Sequence, residues 1–284
     1  MELSEKQGRI SPFKAMICLI GLGVFLTCLT QIRLYDPILG DLFEVRDAIV
    51  VGLPNGDPNA PSSIRTQPID VIVDAGHGGG DGGTVGGTGG KVLEKDVALI
   101  IATALTRELR ARGLRVLMTR ESDVALSLDK RCRIANATEA KMFVSIHLNY
   151  SDDPSTAGIE TFYSWPKSLS TVSSLKGRLG IGKGVTVRDN RGELLAATVQ
   201  ENLHAATGAR DRGVKNRRFW VTRNTVMPSV LIECGFLSNR AERERLAGRS
   251  ESYRKKVVAA IADGIGSYLE AEAGSELYGL ELSK

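Results

Sequence analysis

The chain has few cysteines, few aromatics and little excess of either charge, and each shortage closes off a class of protein. Of its four cysteines, Cys18 and Cys28 lie in an apolar N-terminal stretch, which leaves Cys132 and Cys234 for a folded domain. No CxxC spacing occurs, so neither a metal knuckle nor a disulfide framework is expected, and both domain cysteines read as small buried hydrophobes. Lysine and arginine total 37 against 33 acidic residues, and a net charge of +4 is no nucleic-acid signature; no nucleic-acid partner is expected. The glycine-rich run Gly76 to Gly90 lacks the lysine of a phosphate-binding loop and is longer than a dinucleotide-binding turn. It reads as a mobile rim that lets backbone approach a ligand.

What is present begins with an uncharged stretch from Ala15 to Ile32, at the short end of the roughly 17 to 25 residues that span a bilayer. Lys6, Arg9 and Lys14 precede it, which puts the N-terminus in the cytoplasm and exports the remainder of the chain. The residues after the apolar core are Thr30-Gln31-Ile32-Arg33 and not small residues of an A-x-A type, so an uncleaved anchor is preferred over a cleaved signal peptide. Proline and turn formers crowd 53–63 and cannot propagate helix or central strand. The expected organisation is a basic flank (1–14), a signal anchor or signal peptide (15–32), a linker (33–67), one catalytic domain (68–270) and a tail (271–284).

Within that domain strand and helix patterns alternate. β-branched or apolar runs at 69–76, 114–120, 142–148, 158–164 and 229–235 read as strands. Helical spacing of apolar residues covers 93–111, 127–139, 193–207 and 251–269. The expected fold is α/β: a single domain with a mixed, mostly parallel central sheet flanked by helices on both faces.

His77 follows the first strand and His147 ends the third, and ligands of α/β sheets gather at the carboxyl ends of strands. Glu94 opens the helix after the glycine run. Two histidines and a carboxylate around one open position form a ligand set of catalytic zinc, with water in the fourth place. Taken singly each is weak: a strand-end histidine often satisfies a core, and Glu94 alone is an ordinary first-turn carboxylate. Glu233, at the end of Val230-Leu231-Ile232, is harder to dismiss, because burying it is costly without a cation, a metal or a proton role.

The segments VIVDAGHGGGDGG, LEKDV, MFVSIHLN, GIETFY, RGVK and MPSVLIECGFLSN occur in the order found in the zinc-dependent N-acetylmuramoyl-L-alanine amidases, and from about Pro68 to Leu269 the chain resembles that family. The resemblance implies cleavage of the amide between N-acetylmuramic acid and L-alanine of the peptidoglycan stem peptide, in cell wall remodelling or daughter-cell separation. It implies zinc on His77, Glu94 and His147, with Glu233 as general base. Asp74 and Asn149 flank the ligands and read either as groups that orient them, Asn149 also beside the substrate, or as turn and strand-end hydrogen-bonders. The resemblance also implies that the pair Arg212 and Lys215 of the RGVK segment meets the carboxylates of the stem peptide, whereas the residues by themselves read as a solvated basic surface. His204 matches no ligand motif. Some members cap their zinc with a glutamate on a helix; the Lys, Arg, Ser and Gly content of 164–193 does not support that device here. The expected partners are peptidoglycan, the membrane through the N-terminal segment, and an activator protein in the manner of some members. The expected location is the cell envelope, on the periplasmic side. Two rivals remain at this level: a catalytically silent peptidoglycan-binding module, and a zinc amidohydrolase acting on another envelope polymer.

Overall fold

The computed structural model describes residues 69–87, 92–165 and 190–277. The proposed membrane segment, the linker, residues 166–189 of the stretch weighed for autoinhibition, and the tail beyond 277 lie outside the described residues. Among the described residues no helix is long and apolar enough to cross a membrane.

The chain enters the sheet through β1 (Val71–Ala75), every residue of which is buried. After the glycine-rich loop, the short strands β2 (Val85–Gly86) and β3 (Val92–Leu93) pair antiparallel and lead into α1 (Glu94–Ala111). β4 (Val116–Met118) follows, then α2 (Leu128–Asn136), whose N-cap Ser127 accepts the backbone N–H of Lys130. β5 (Met142–Asn149) and β6 (Ile159–Tyr163) come next, then α3 (Arg191–Thr207). The remaining elements are β7 (Asp211–Asn216), α4 (Trp220–Asn224), β8 (Ser229–Phe236), α5 (Arg240–Ala247) and α6 (Ser252–Leu277). The RGVK segment is thus part of a strand, where sequence alone assigned no element. α6 continues past the expected end at Leu269, because Glu270 to Ala273 are good helix formers and no proline intervenes.

Six strands form one sheet in the order β4-β1-β5-β8-β6-β7. β4, β1, β5 and β8 are mutually parallel, β6 is antiparallel to β8, and β7 is parallel to β6. The period-2 alternation of β1 divides the core: Val71, Val73 and Ala75 face a cluster shared with α1, α3 and α6, while Ile72 faces one shared with Phe143, Cys132 and Val221 of α4. Helices therefore cover both faces, as patterned. At about 1.5–3 kcal/mol for each fully buried Val, Leu or Ile side chain, these two layers supply the main drive to fold. Cys132 and Cys234 are buried in them as thiols, not joined in a disulfide.

Reversal of β6 has a local consequence. Its N-terminal residues lie at the carboxyl ends of β5 and β8, so that Glu160 pairs with Glu233 across the strands. Glu242 of α5 fastens this junction by accepting the backbone N–H of Gly158 at 2.9 Å and that of Phe236 at 2.7 Å.

Candidate metal centre

β1 and β5 lie side by side, and each delivers a histidine at or just beyond its carboxyl end. His77 sits in the turn after β1 with φ at 60°, the one non-glycine residue with positive φ among those described. A side chain in that region costs about 1–2 kcal/mol, a strain that tends to persist at functional sites. Its Nδ1 lies 2.8 Å from Asp81 Oδ2, which leaves Nε2 3.1 Å from Glu94 Oε1. His147 projects from β5, with Nδ1 2.9 Å from the same Glu94 oxygen. The three ligand atoms lie within 4.8 Å of one another. Ligand atoms around a tetrahedral zinc stand about 3.3 Å apart for bonds of ~2.0 Å, so these donors fit such an ion.

Glu94 is buried and tightly held: the backbone N–H groups of Thr84 and Leu148 donate to its two oxygens. Burial opposes its ionisation, but the hydrogen bonds and charges of His147 and His77 prevail and keep its carboxyl far below the usual range. For His77 burial pulls the pKa down, while Glu94 and Asp81 together outweigh it and leave the imidazole pKa raised. A cation at this point would replace the protons that now join the imidazoles to Glu94.

Glu233 is the one half-buried residue of the otherwise buried β8, and it stands beside His147 in the strand register. Its Oε2 is buried and has no hydrogen-bond partner among the described residues. Burial first, then the charges of Glu94 and Glu160, push its pKa well above the usual carboxylate value. All four groups line one pocket of about 740 Å³, whose other wall carries Leu128, Tyr150, Phe219 and Trp220, all exposed. A carboxyl group with an unsatisfied oxygen in a partly apolar cleft, facing a cation site, is suited to take up and return a proton.

The other residues singled out from sequence lie elsewhere in the network. Arg212 and Lys215 do not line this pocket; both reach the buried carboxylate of Glu160, Arg212 at 3.4 Å and Lys215 in closer contact. Asn149 does line the pocket, and its Nδ2 donates to Glu160 at 2.5 Å. Asp74 is buried and makes its bonds to Thr119, Ser145 and Arg131. It lines the pocket and is joined by hydrogen bonds to the His77 segment through Arg131, whereas the group that holds His77 Nδ1 is Asp81. His204 bonds Ala209 O near the end of α3, remote from the pocket lining.

The described part of the glycine-rich run, Gly76 to Gly87, is hydrogen-bonded to its surroundings, and the rest of the run lies outside the described residues. Gly79 N donates to Asp123, Lys95 Nζ donates to Gly79 O and Asp123, and Gly78 pairs with Asp81. Glycine is required where the ligands crowd the backbone: a Cβ on Gly76 would meet the His147 ring at 2.4 Å, and one on Gly83 would meet Glu94 Oε2 at 2.6 Å. Sequence reasoning missed Asp81 and Glu160. The signals were there, in an acid four residues after a ligand histidine and in a lone acid inside an otherwise apolar strand.

The profile of the N-acetylmuramoyl-L-alanine amidase family matches residues 71–267. The amidase LytC of Bacillus subtilis (strain 168) is 34% identical over 198 residues, which are 70% of this chain and 35% of LytC, so the chain spans about a third of that relative. Among solved structures, the N-acetylmuramoyl-L-alanine amidase of Clostridium difficile 630 is 34% identical with a TM-score of 0.60, covering 72% of this chain and 98% of its own. The CwlD amidase of Clostridioides difficile, solved in complex with the GerS lipoprotein, is 31% identical with a TM-score of 0.60, covering 72% and 99%. With a profile that runs from the first strand into the last helix, and structural neighbours matched over nearly their full length, the chain belongs to the N-acetylmuramoyl-L-alanine amidase family.

Proposed function

We propose that this chain hydrolyses the amide between the lactyl group of N-acetylmuramic acid and L-alanine of the peptidoglycan stem peptide, with zinc held by His77, Glu94 and His147 and with Glu233 as general base. The observation that carries the reading is the convergence of those three ligand atoms in the same pocket as the unpartnered buried oxygen of Glu233. When bound, zinc supplies Lewis acidity, polarising the scissile carbonyl and bringing water within reach of ionisation near pH ~7. Glu233 takes the proton of the attacking water and returns it to the departing nitrogen, which leaves as the free amine of alanine. Asp81 fixes the His77 ring so that Nε2 faces the ion. Asn149 borders the substrate, whereas Arg212 and Lys215 act at one remove by holding Glu160 in place.

The polymer places the work in the cell envelope. The basic flank and uncharged run at 15–32 support export with membrane attachment on the periplasmic face. The complex of CwlD with a lipoprotein supports an envelope protein as activating partner.

The test is incubation of the purified full chain with purified peptidoglycan, with and without a zinc chelator, and with Glu233→Gln alongside. Mass spectrometry is expected to find free stem peptides beginning in L-alanine, abolished by chelator and restored by zinc, and Glu233→Gln is expected to keep its zinc yet release none. Release that continues at full rate in the zinc-free protein would refute the reading.

A further inference from the structure

We propose that Arg131, together with Arg120, is a positioning residue for the metal centre: the two guanidinium groups capture consecutive backbone carbonyls and hold His77 in the left-handed conformation that aims its Nε2 at Glu94. The proposal rests on the zinc reading above.

Arg131 is nearly inaccessible, with a side chain 3% exposed. Its Nη1 donates to Asp74 Oδ1 at 2.7 Å and to Ala75 O at 2.6 Å, and its Nη2 to His77 O at 2.5 Å. Arg120 donates from Nε to Ala75 O at 2.9 Å and from Nη2 to Gly76 O at 2.7 Å. The carbonyls of Ala75, Gly76 and His77 are thus all taken by guanidinium groups. The same Nη2 of Arg120 also donates to Lys95 O at 2.9 Å, which ties the His77 turn to the helical turn that carries Glu94. A planar fork fixes the direction of each carbonyl it binds, and a lysine, being a single point of charge, cannot do so.

Two observations distinguish this from ordinary core stability. The ion pair with Asp74 uses one N–H of Arg131 Nη1, and the bonds to Ala75 O and His77 O are additional to it and fall on the turn that carries His77. A turn that needed only positive φ would be served by glycine, as at Gly79 and Gly83 nearby. An imidazole kept there against strain is kept for what its ring does, and the bonds to Ala75 O and His77 O are what hold it.

Arg131→Lys, made in the full chain, retains the charge facing Asp74 and loses the fork. Zinc affinity is read by chelator competition, coordination geometry by the visible spectrum of the cobalt-substituted protein, and fold by the thermal midpoint of the metal-free form. The expected result is a folded protein with zinc affinity lowered ~10- to 100-fold, the range for groups that orient metal ligands, and an altered cobalt spectrum. Arg120→Lys, which leaves the Asp74 ion pair in place, is expected to behave alike and decides the matter if Arg131→Lys fails to fold. A lower thermal midpoint with wild-type zinc affinity and spectrum would overturn the proposal, as would failure of both variants to fold, since the arginines would then serve the core alone. Absence of zinc binding in the wild type would instead overturn the metal reading on which it rests.

Discussion

Replacing Gly76 by alanine tests how closely the ligands are packed on the backbone. The new Cβ would lie 2.4 Å from His147 Cε1, 2.6 Å from Nε2 and 2.7 Å from Nδ1. Carbon atoms rest about 3.5–4.0 Å apart, so relief needs a shift of about 1 Å at the ring or at the turn. The ring cannot swing aside freely, because its Nδ1 is engaged by Glu94, itself held by Thr84 N and Leu148 N. Metal–ligand distances tolerate about 0.2 Å, so a 1 Å shift takes His147 out of coordination or drags Glu94 with it. Overpacking of this kind costs about 1–3 kcal/mol, and a 1 Å misplacement at a reacting centre costs on the order of 100-fold in rate. Gly76→Ala is therefore expected to lower the thermal midpoint by several degrees, to bind zinc at least ~10-fold more weakly, and to release stem peptides at about a hundredth of the wild-type rate. Zinc content, chelator competition and a peptide-release assay measure this. Wild-type zinc affinity together with a rate within threefold would refute the packing account of the loop.

Asp81→Ala should leave the fold intact and weaken zinc binding by ~10- to 100-fold, because His77 Nδ1 loses its acceptor; titration against a fluorescent chelator reports it. Glu160→Gln removes the partner of Arg212 and Lys215, whose side chains are 28% and 35% exposed, so a cost of about 1–2 kcal/mol is expected in denaturant unfolding, less than for a fully buried pair. The same change removes one of the charges that raise the Glu233 pKa, so the acidic limb of the kcat/KM profile should move to lower pH; an unmoved limb would count against Glu233 as the base. Burial raises the pKa of Asp74, but Arg131, Thr119 and Ser145 outweigh it and leave it lowered from 3.8. Its contribution to stability is therefore present above pH 3.8 and lost as pH falls through the folded value, and Asp74→Asn should flatten acid unfolding in that window.

Much of the fold was legible because hydrophobic period is a local property. The fully buried run of β1 and the spaced apolar positions of α1 identify themselves without reference to the rest of the chain. Strand direction is not local. Nothing in GIETFY states that β6 runs against β8, and without that reversal Glu160 has no reason to face Glu233. Arg212 and Lys215 had a substrate role only through the family resemblance, since the residues by themselves read as a solvated basic surface. Pairing of β7 with β6 turned them toward Glu160 instead. The ligand set could be proposed from the strand ends that bear His77 and His147, since sheet topology directs carboxyl ends to one edge. Arg131 could not, because its role depends on the path of the turn after Ala75, where its contacts join residues more than fifty positions apart.

The two backbone donors gathered by Glu242, Gly158 N at the start of β6 and Phe236 N at the end of β8, bear on how the family can vary in length. Side chains alternate along a strand, so a slip of one residue would carry Glu160 to the opposite face and leave Ile159 or Thr161 beside Glu233. By gripping both strands at once, Glu242 sets the reading frame of this junction. Insertions can then accumulate in the loop between Tyr150 and Ala157 without reaching the chemistry, whereas a single residue gained or lost between Gly158 and Tyr163 would misplace it.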